Sequence, residues 1–446
     1  MKKILLIGAG RSSTVLIDYL LARSEAEGWL ITVGDYSEQL VRSKVGDHPQ
    51  ARAIRFDSSD QSQSLSEIKA ADLVISLLPP HLHIEIARQC VELGRNLVTA
   101  SYVSSDMSQL DQEARKKGVL LLNECGLDPG IDHMSAMEVF REIAAQGGSL
   151  DAFYSYTGGL VAPESDDNPW GYKFSWNPRN VILAGQGTAC FIENGKYRYL
   201  PYQRLFLQSR SVNVPGAGTF DGYANRDSLV YRKLYDIENI PTLIRGTLRK
   251  QGYCRAWHVF VQLGLTDDSY VLENSSSMSY AELVTALLPE RLQGESLRQA
   301  TARCCGLSEN ESAMDLVEWT GVFSDTTIGV DRVTPAQALQ KLLESCWQLK
   351  PDDKDLVVMQ HMFHYSIGSR KFVRTSSLIV KGDDQSRTAM AKTVGLPIGI
   401  AVRNILNGTI REKGVVIPLS EGICKPILTE LKQHGIDFKE QVVELT

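Results

Sequence analysis

The chain lacks several features that would each have fixed its class at once. There is no basic tract of the kind that tracks a phosphate backbone: lysine and arginine number 47 against 53 acidic residues, for a net charge of −6. That balance excludes nucleic acid as an expected partner. No window of about eighteen apolar residues stands out, so no membrane-spanning helix is expected. The apolar run at the start, residues 4–7, breaks at Gly8 with nothing cleavable after it, so it does not read as a leader. The eight cysteines fall without metal-ligand spacing, and Cys304 next to Cys305 is their only cluster. Reduced thiols in the cytoplasm and no metal are the expectation. No G-x-S-x-G or comparable nucleophile motif occurs.

What is present is long and apolar enough for a large core: 446 residues, 43% hydrophobic, which implies two or three domains. The first 125 residues alternate short apolar runs with amphipathic stretches, the rhythm of a doubly wound parallel sheet. Residues 3–7 read as a strand that runs into GAGRSS (8–13) and then a helix from residue 14. Gly8 and Gly10 let such a turn close and bring backbone amides to a pyrophosphate; Arg11, Ser12 and Ser13 complete it, with small Ser13 in place of the usual third glycine. The next strand ends at Asp35, twenty-two residues beyond Ser13, followed by Tyr36. A carboxylate there accepts from a ribose 2′-hydroxyl and repels a 2′-phosphate, which favours NAD over NADP; a simple turn-starting Asp is the plain alternative.

Further strand ends are expected along the same edge at Leu78–Pro79, at Ser101 and Tyr102, and at NECGLDPGIDH (123–133), which contains Leu127. Ligands bind at that edge in open α/β sheets. Asp128, held in a turn before Pro129, is the leading titratable candidate, against the alternative of a helix N-cap. Asp132 and His133 read as scaffolding at the start of the following helix, and Cys125 as a packed thiol.

After residue 148 the βα rhythm stops. Runs at 153–159, 174–176, 188–191 and 212–214 suggest strands of a mixed sheet. From residue 239 the chain reads as helical, including 242–251, and a hairpin is expected over 357–367 and 370–380. A helix over 389–406, interrupted at Gly395 and Pro397, is expected to pack back on the first domain. Lys173, Arg226, Arg245 and Arg249 form a set of cations suited to carboxylates, Arg245 and Arg249 sharing a helix face four residues apart. For any one of them a surface ion pair is the simpler account.

Together these strings resemble the saccharopine dehydrogenases of the L-glutamate-forming type. The resemblance runs through GAGRSS, SLLPPHLH (76–83), NECGLDPGIDH, GGLVAPESDDNPWGYKFSW (158–176), ANRDS (224–228), IRGTLRKQGY (244–253), VVMQHMF (357–363) and AKTVGLPIGIAV (391–402), nearly the whole chain. It implies a Rossmann domain over 1–128 with 388–425 packed on it, a mixed-sheet α+β substrate and dimerisation domain over 129–238 and 352–387, and a small helical insertion over 239–351. It implies oxidation of saccharopine by NAD or NADP to an imine that water splits into glutamate and 2-aminoadipate 6-semialdehyde, in a homodimer. Carried over by motif, substrate binding falls on Ser101, Asp128, Arg226 and the Thr247, Leu248, Arg249 segment. On chemical grounds Tyr102 and Arg245 are added to the binding set, and Asp128 or Lys173 is expected to orient the amine or assist proton transfer. Two readings compete with it: a related dehydrogenase for carboxynorspermidine or lysine, and a catalytically silent dinucleotide-binding protein.

Overall fold

A computed structural model describes residues 1–292 and 294–445. Among these the strands run, in chain order, β1 (Lys2–Ile7), β2 (Trp29–Asp35), β3 (Ala51–Arg55), β4 (Leu73–Ser76), β5 (Asn96–Thr99), β6 (Leu120–Leu122), β7 (Ser149–Val161), β8 (Thr188–Glu193), β9 (Lys196–Pro201), β10 (Arg210–Val214), β11 (Gly218–Ala224), β12 (Leu243–Lys250), β13 (Asp355–Ile367), β14 (Arg370–Lys381), β15 (Gly414–Val416) and β16 (Lys439–Leu445). The chain divides into two compact units. Met1–Gly148 with Val380–Phe438 forms the first, and Ser149–Ile379 with Lys439–Thr446 the second. The first boundary thus falls at residue 148 rather than 128, because the helix Ile131–Ala145 packs with the helix Glu421–Gln433 of the first unit.

The first unit is a parallel sheet in the order β15-β6-β5-β4-β1-β2-β3. β1 and β4 are buried along most of their length, as strands covered on both faces must be. The helix Ala389–Leu406 runs unbroken through Pro397. It is long and apolar enough to cross a membrane by composition, with a mean hydropathy of 1.2, which corrects the expectation from the sequence; 72% of it is buried in the protein. Its glycines explain the burial. A Cβ on Gly395 would lie 2.9 Å from the Leu16 backbone nitrogen, and one on Gly399 would lie 2.5 Å from the Tyr19 ring, so the helix Thr14–Glu27 approaches at backbone distance.

The second unit carries a mixed sheet ordered β10-β11-β12-β7-β13-β14-β16, with β8 pairing β12 and β9. β7 and β13 pair antiparallel over nearly their full length, and β12 lies parallel beside β7. β13 and β14 are sheet neighbours joined by a two-residue turn with Gly368 at φ +59°. Residues 174–176, expected as a strand, belong to a loop. The helices Tyr253–Leu263, Tyr280–Leu287, Leu297–Cys304, Ser312–Trp319 and Pro335–Cys346 share one core with Trp170, Tyr172 and Phe174 of that loop. The helical stretch is therefore continuous with the sheet unit.

The main correction is at 242–251, which is a strand and not a helix. It pairs antiparallel with β11 and parallel with β7, and Gly246 allows the close approach: a Cβ there would sit 2.4 Å from the Tyr156 ring and 2.6 Å from the Tyr223 carbonyl.

Candidate functional site: a dinucleotide turn and a buried arginine strand

In the first unit the C-terminal strand ends all lie along one sheet edge. After β1 the chain turns through Gly8, at φ +104°, where a Cβ would meet the Leu77 carbonyl at 2.9 Å. Gly10 is exposed, and a Cβ there would meet nothing within 4 Å. A 3-10 turn, Arg11–Ser13, then leads into the helix Thr14–Glu27. An open backbone face before a helix N-terminus is what a pyrophosphate requires, so these residues fit a dinucleotide. The turn is held from below. Asp35 accepts from the Ala9 amide at 2.7 Å and the Ser37 amide at 3.1 Å. Lys44 donates to the Gly10 carbonyl at 2.6 Å and to the Ser13 and Thr14 hydroxyls at 3.0 Å. Burial lowers the Lys44 pKa to about 8, against the pull of Asp35 and Asp18. Nothing in the sequence marks Lys44 for this role, since it lies thirty-four positions from Gly10. Tyr36 is exposed, with the Arg55 guanidinium 4.9 Å from its ring centre.

Further along the edge stand Leu78 and Pro79 after β4, and Ser101 and Tyr102 after β5. Tyr102 donates to Asp128 Oδ1 at 3.2 Å, so two of the expected residues meet. Asp128 is not the N-cap of the next helix. That place belongs to Gly130, whose Cβ would fall 2.2 Å from Gly126, and whose amide donates to Asp132 Oδ1 at 2.6 Å. The Asp128–Pro129 peptide is cis. Leu127 is buried at this turn.

Nothing in the sequence sets Glu124 apart from its acidic neighbours. Buried, with φ +55°, it accepts from the Val103 amide at 3.1 Å and contacts His133 Nε2 at 2.7 Å, while Asp132 lies 3.5 Å from His133 Nδ1. His133 is thus clasped between two carboxylates beneath the turn, the scaffolding role expected of it. Equally unannounced is His83, buried between the Ser76 hydroxyl at 2.8 Å and the Ser101 hydroxyl at 2.7 Å. Burial, with His81 nearby, lowers its pKa to about 4, so it is neutral. Ser–His–Ser contacts across three chain segments leave no local pattern to read.

In the second unit, Arg245, Thr247 and Arg249 lie on one face of β12 because strand side chains alternate. The shared face survives the change from helix to strand, since four residues is a multiple of both repeats only approximately in one and fully in the other. Leu248 points the other way, into a core with Tyr156 and Val358. Arg245 is buried with its guanidinium 4.1 Å from the Tyr231 ring centre. Arg249 is buried at 3% exposure, 5.1 Å and 5.4 Å from the ring centres of Tyr172 and Tyr253, and donates from one Nη to the Leu248 carbonyl at 2.9 Å. Its Nε has no hydrogen-bond partner, and no carboxylate pairs with it among the described residues. Burial opposes its charge, yet Tyr223, Tyr172 and Tyr253 more than restore it, raising its pKa. On the same face Thr157, in register with Thr247, also has a buried hydroxyl without a partner.

Arg226 is exposed, at φ +51°, a backbone conformation uncommon outside glycine. Lys173 is buried and paired twice, with Asp353 at 2.6 Å and Asp167 at 2.7 Å, and Lys350 joins the cluster through both. Its ammonium is committed to structure here.

Comparison with known proteins agrees across the whole length. Residues 4–122 match the saccharopine dehydrogenase NADP binding domain, and 126–436 the saccharopine dehydrogenase C-terminal domain. The saccharopine dehydrogenase [NADP(+), L-glutamate-forming] of Schizosaccharomyces pombe is 32% identical, with the whole of both chains covered. The mitochondrial alpha-aminoadipic semialdehyde synthase of Rattus norvegicus is 35% identical over 99% of this chain and 48% of that one. The apo histidine-tagged saccharopine dehydrogenase (L-Glu forming) from Saccharomyces cerevisiae superposes with a TM-score of 0.88 at 32% identity, covering 99% of this chain and 100% of the other. A nicotinamide dinucleotide is the cofactor these descriptions support, and where they specify they favour NADP, against the NAD preference expected from Asp35. By sequence, by domain content and by fold, the chain belongs to the saccharopine dehydrogenase family of oxidoreductases.

Proposed function

We propose that the chain interconverts saccharopine, water and an oxidised nicotinamide dinucleotide with L-glutamate, 2-aminoadipate 6-semialdehyde and the reduced dinucleotide. The observation that brings this reading down to individual atoms is Arg249, a buried guanidinium among tyrosines with an unpartnered Nε. A buried cation without an anion is costly by several kcal/mol, and a substrate carboxylate removes that cost. Saccharopine carries three carboxylates, which gives Arg245 and Arg226 work of the same kind, and Thr247 and Thr157 hydroxyls to assist.

The dinucleotide, when bound, accepts a hydride from the carbon that bears the secondary amine. The turn amides from Gly10 to Ser12 would hold its pyrophosphate, since those of Gly8, Ala9 and Ser13 donate to Gly34, Asp35 and Gly10, with Leu78, Pro79 and Leu127 lining the same edge. Asp128, oriented by the Tyr102 hydroxyl, accepts the proton that the amine loses or that water gives up on adding to the imine. Lys173 acts by fixing the loop before β8 through Asp353 and Asp167.

NADP is the proposed cofactor on the strength of the relatives' names, with Arg55 over the Tyr36 ring as a cation beside the end of β2. Asp35 weighs for NAD, although both its oxygens already serve backbone amides. A homodimer and a cytoplasmic location belong to the same proposal. The exposed Val442, Val443 and Leu445 on edge strand β16 suit a protein contact, and the eight free cysteines suit a reducing compartment.

Saccharopine oxidation measured with NAD and NADP in parallel, alongside lysine and carboxynorspermidine, tests the whole reading. Saccharopine turnover that falls at least 100-fold in Arg249→Ala is the expected result, that is, about 2.7 kcal/mol. Binding of the dinucleotide with no turnover of any of these compounds would establish the silent alternative.

A further inference from the structure

We infer that Ser76 and His83 form a relay that turns the Ser101 hydroxyl hydrogen outward, making His83 a positioning residue that presents Ser101 as a hydrogen-bond donor to a ligand acceptor oxygen. The inference rests on the reading of this sheet edge as the ligand edge.

The contacts fix the direction. His83 sits 2.8 Å from Ser76 Oγ through Nδ1 and 2.7 Å from Ser101 Oγ through Nε2. A neutral imidazole has one N–H and one lone pair, so it donates to one serine and accepts from the other. Its depressed pKa keeps it in that neutral form at pH 7. Ser76 is fully buried at the end of β4, and among the described residues its hydroxyl meets only His83.

Were Nδ1 protonated, it would donate to Ser76, and the Ser76 hydrogen would be buried with no acceptor, at a cost of about 1–3 kcal/mol. The other tautomer avoids this. Ser76 donates to Nδ1, and Nε2–H donates to Ser101 Oγ. The lone pair of Ser101 facing the imidazole is then used, and its own hydrogen must point elsewhere. Ser101 is only half-buried, two residues beyond β5, and among the described residues its hydroxyl has no other protein partner. Its hydrogen is therefore offered at the edge where Leu78, Pro79 and Tyr102 also stand. A carboxylate oxygen of the substrate or the carboxamide oxygen of the dinucleotide is the chemistry that accepts it.

The test begins with the intact protein. In ¹⁵N-labelled material, with His83 assigned by comparison with His83→Gln, the imidazole should show protonated Nε2 and unprotonated Nδ1. Protonated Nδ1 overturns the relay. Kinetics then address the ligand. Ser76→Ala removes the donor to Nδ1, lets the imidazole take the Ser101 hydrogen, and should raise one KM three- to ten-fold with kcat changed less than two-fold. The KM that moves, for saccharopine or for the dinucleotide, identifies which oxygen accepts. Ser101→Ala should give the same effect, and the double variant should be no worse than Ser101→Ala alone. Additive losses overturn the relay. The expected tautomer together with a kinetically silent Ser101→Ala overturns the ligand-facing role while leaving the saccharopine assay to stand or fall separately.

Discussion

Lys173 separates two roles that a sequence cannot, and removing Asp353 is the perturbation that does so. The Lys173 side chain is 2% exposed and rests on Asp353 at 2.6 Å, itself 11% exposed, and on Asp167 at 2.7 Å, which is 43% exposed. Asp353→Ala leaves the ammonium buried with only its outer partner, and leaves the Lys350 amide without its 2.7 Å acceptor. Breaking a buried pair in this way costs about 3–5 kcal/mol, and the surviving Asp167 places the expectation near 3. Asp167→Ala removes only a solvent-screened partner and should cost at most about 1 kcal/mol. Converting Lys173 to Met as well as Asp353 to Ala removes the stranded charge, so the double variant should recover more than about 1 kcal/mol relative to Asp353→Ala. Urea unfolding followed by tryptophan fluorescence reads this unit, since Trp170, Trp257 and Trp347 are buried in its core. An Asp353→Ala protein no less stable than Asp167→Ala, or a double variant worse than Asp353→Ala, would refute the reasoning. Lys173 and Lys350 also hold Asp167 down to about pKa 2. Its contribution is therefore fully present above the unfolded carboxylate value of about 4 and is lost as pH falls through about 2.

Three further outcomes are expected. Gly10→Ala should fold normally, because a Cβ there meets nothing within 4 Å, yet weaken dinucleotide binding tenfold or more in a fluorescence titration; Gly8→Ala, at φ +104° and against the Leu77 carbonyl, should lose thermal stability as well. Gly399→Ala should destabilise by about 1–3 kcal/mol in thermal melts, since overpacking against the Tyr19 ring outweighs the roughly 1 kcal/mol that alanine gains in an open helix. Lowering pH from about 6.5 to about 4 should cost roughly 3 kcal/mol of stability through His83, whose folded pKa is depressed to about 4 while the unfolded chain takes up the proton near 6.5. His83→Gln should flatten that limb of a stability-against-pH curve.

Much of the first unit was legible because a parallel βα sheet writes itself locally: an apolar run, a turn, an amphipathic stretch. GAGRSS and the 123–133 turn could be placed at the ligand edge on that rhythm alone. The strand β12 was misread because its arginines four apart satisfy a helical repeat nearly as well as an alternating one. What decides between them is pairing with β7, some ninety positions earlier in the chain, and with β11, which no local repeat records. Lys173 drew attention as a cation in a polar loop, and its partner Asp353 lies 180 positions away. His83 carries no local signal either, since its meaning depends on Ser76 at the end of β4 and Ser101 just beyond β5 meeting the first residue of a helix. Glu124 looked like one more acidic residue beside Asp128 until the fold buried it against His133.

The first unit is assembled from both sides of the second, with Val380–Phe438 returning after Ser149–Ile379. On a ribosome, the surface of the helix Thr14–Glu27 that later receives Gly395 and Gly399 is made early and waits, bare, while the whole intervening unit is synthesised. The last strand, β16, then closes the second unit by pairing with β14. Neither unit is complete until the final stretch has emerged. A nascent chain stalled before Ala389 therefore carries an open dinucleotide sheet with an uncovered apolar helix face, a form suited to chaperone capture and proteolytic clearance rather than to partial activity.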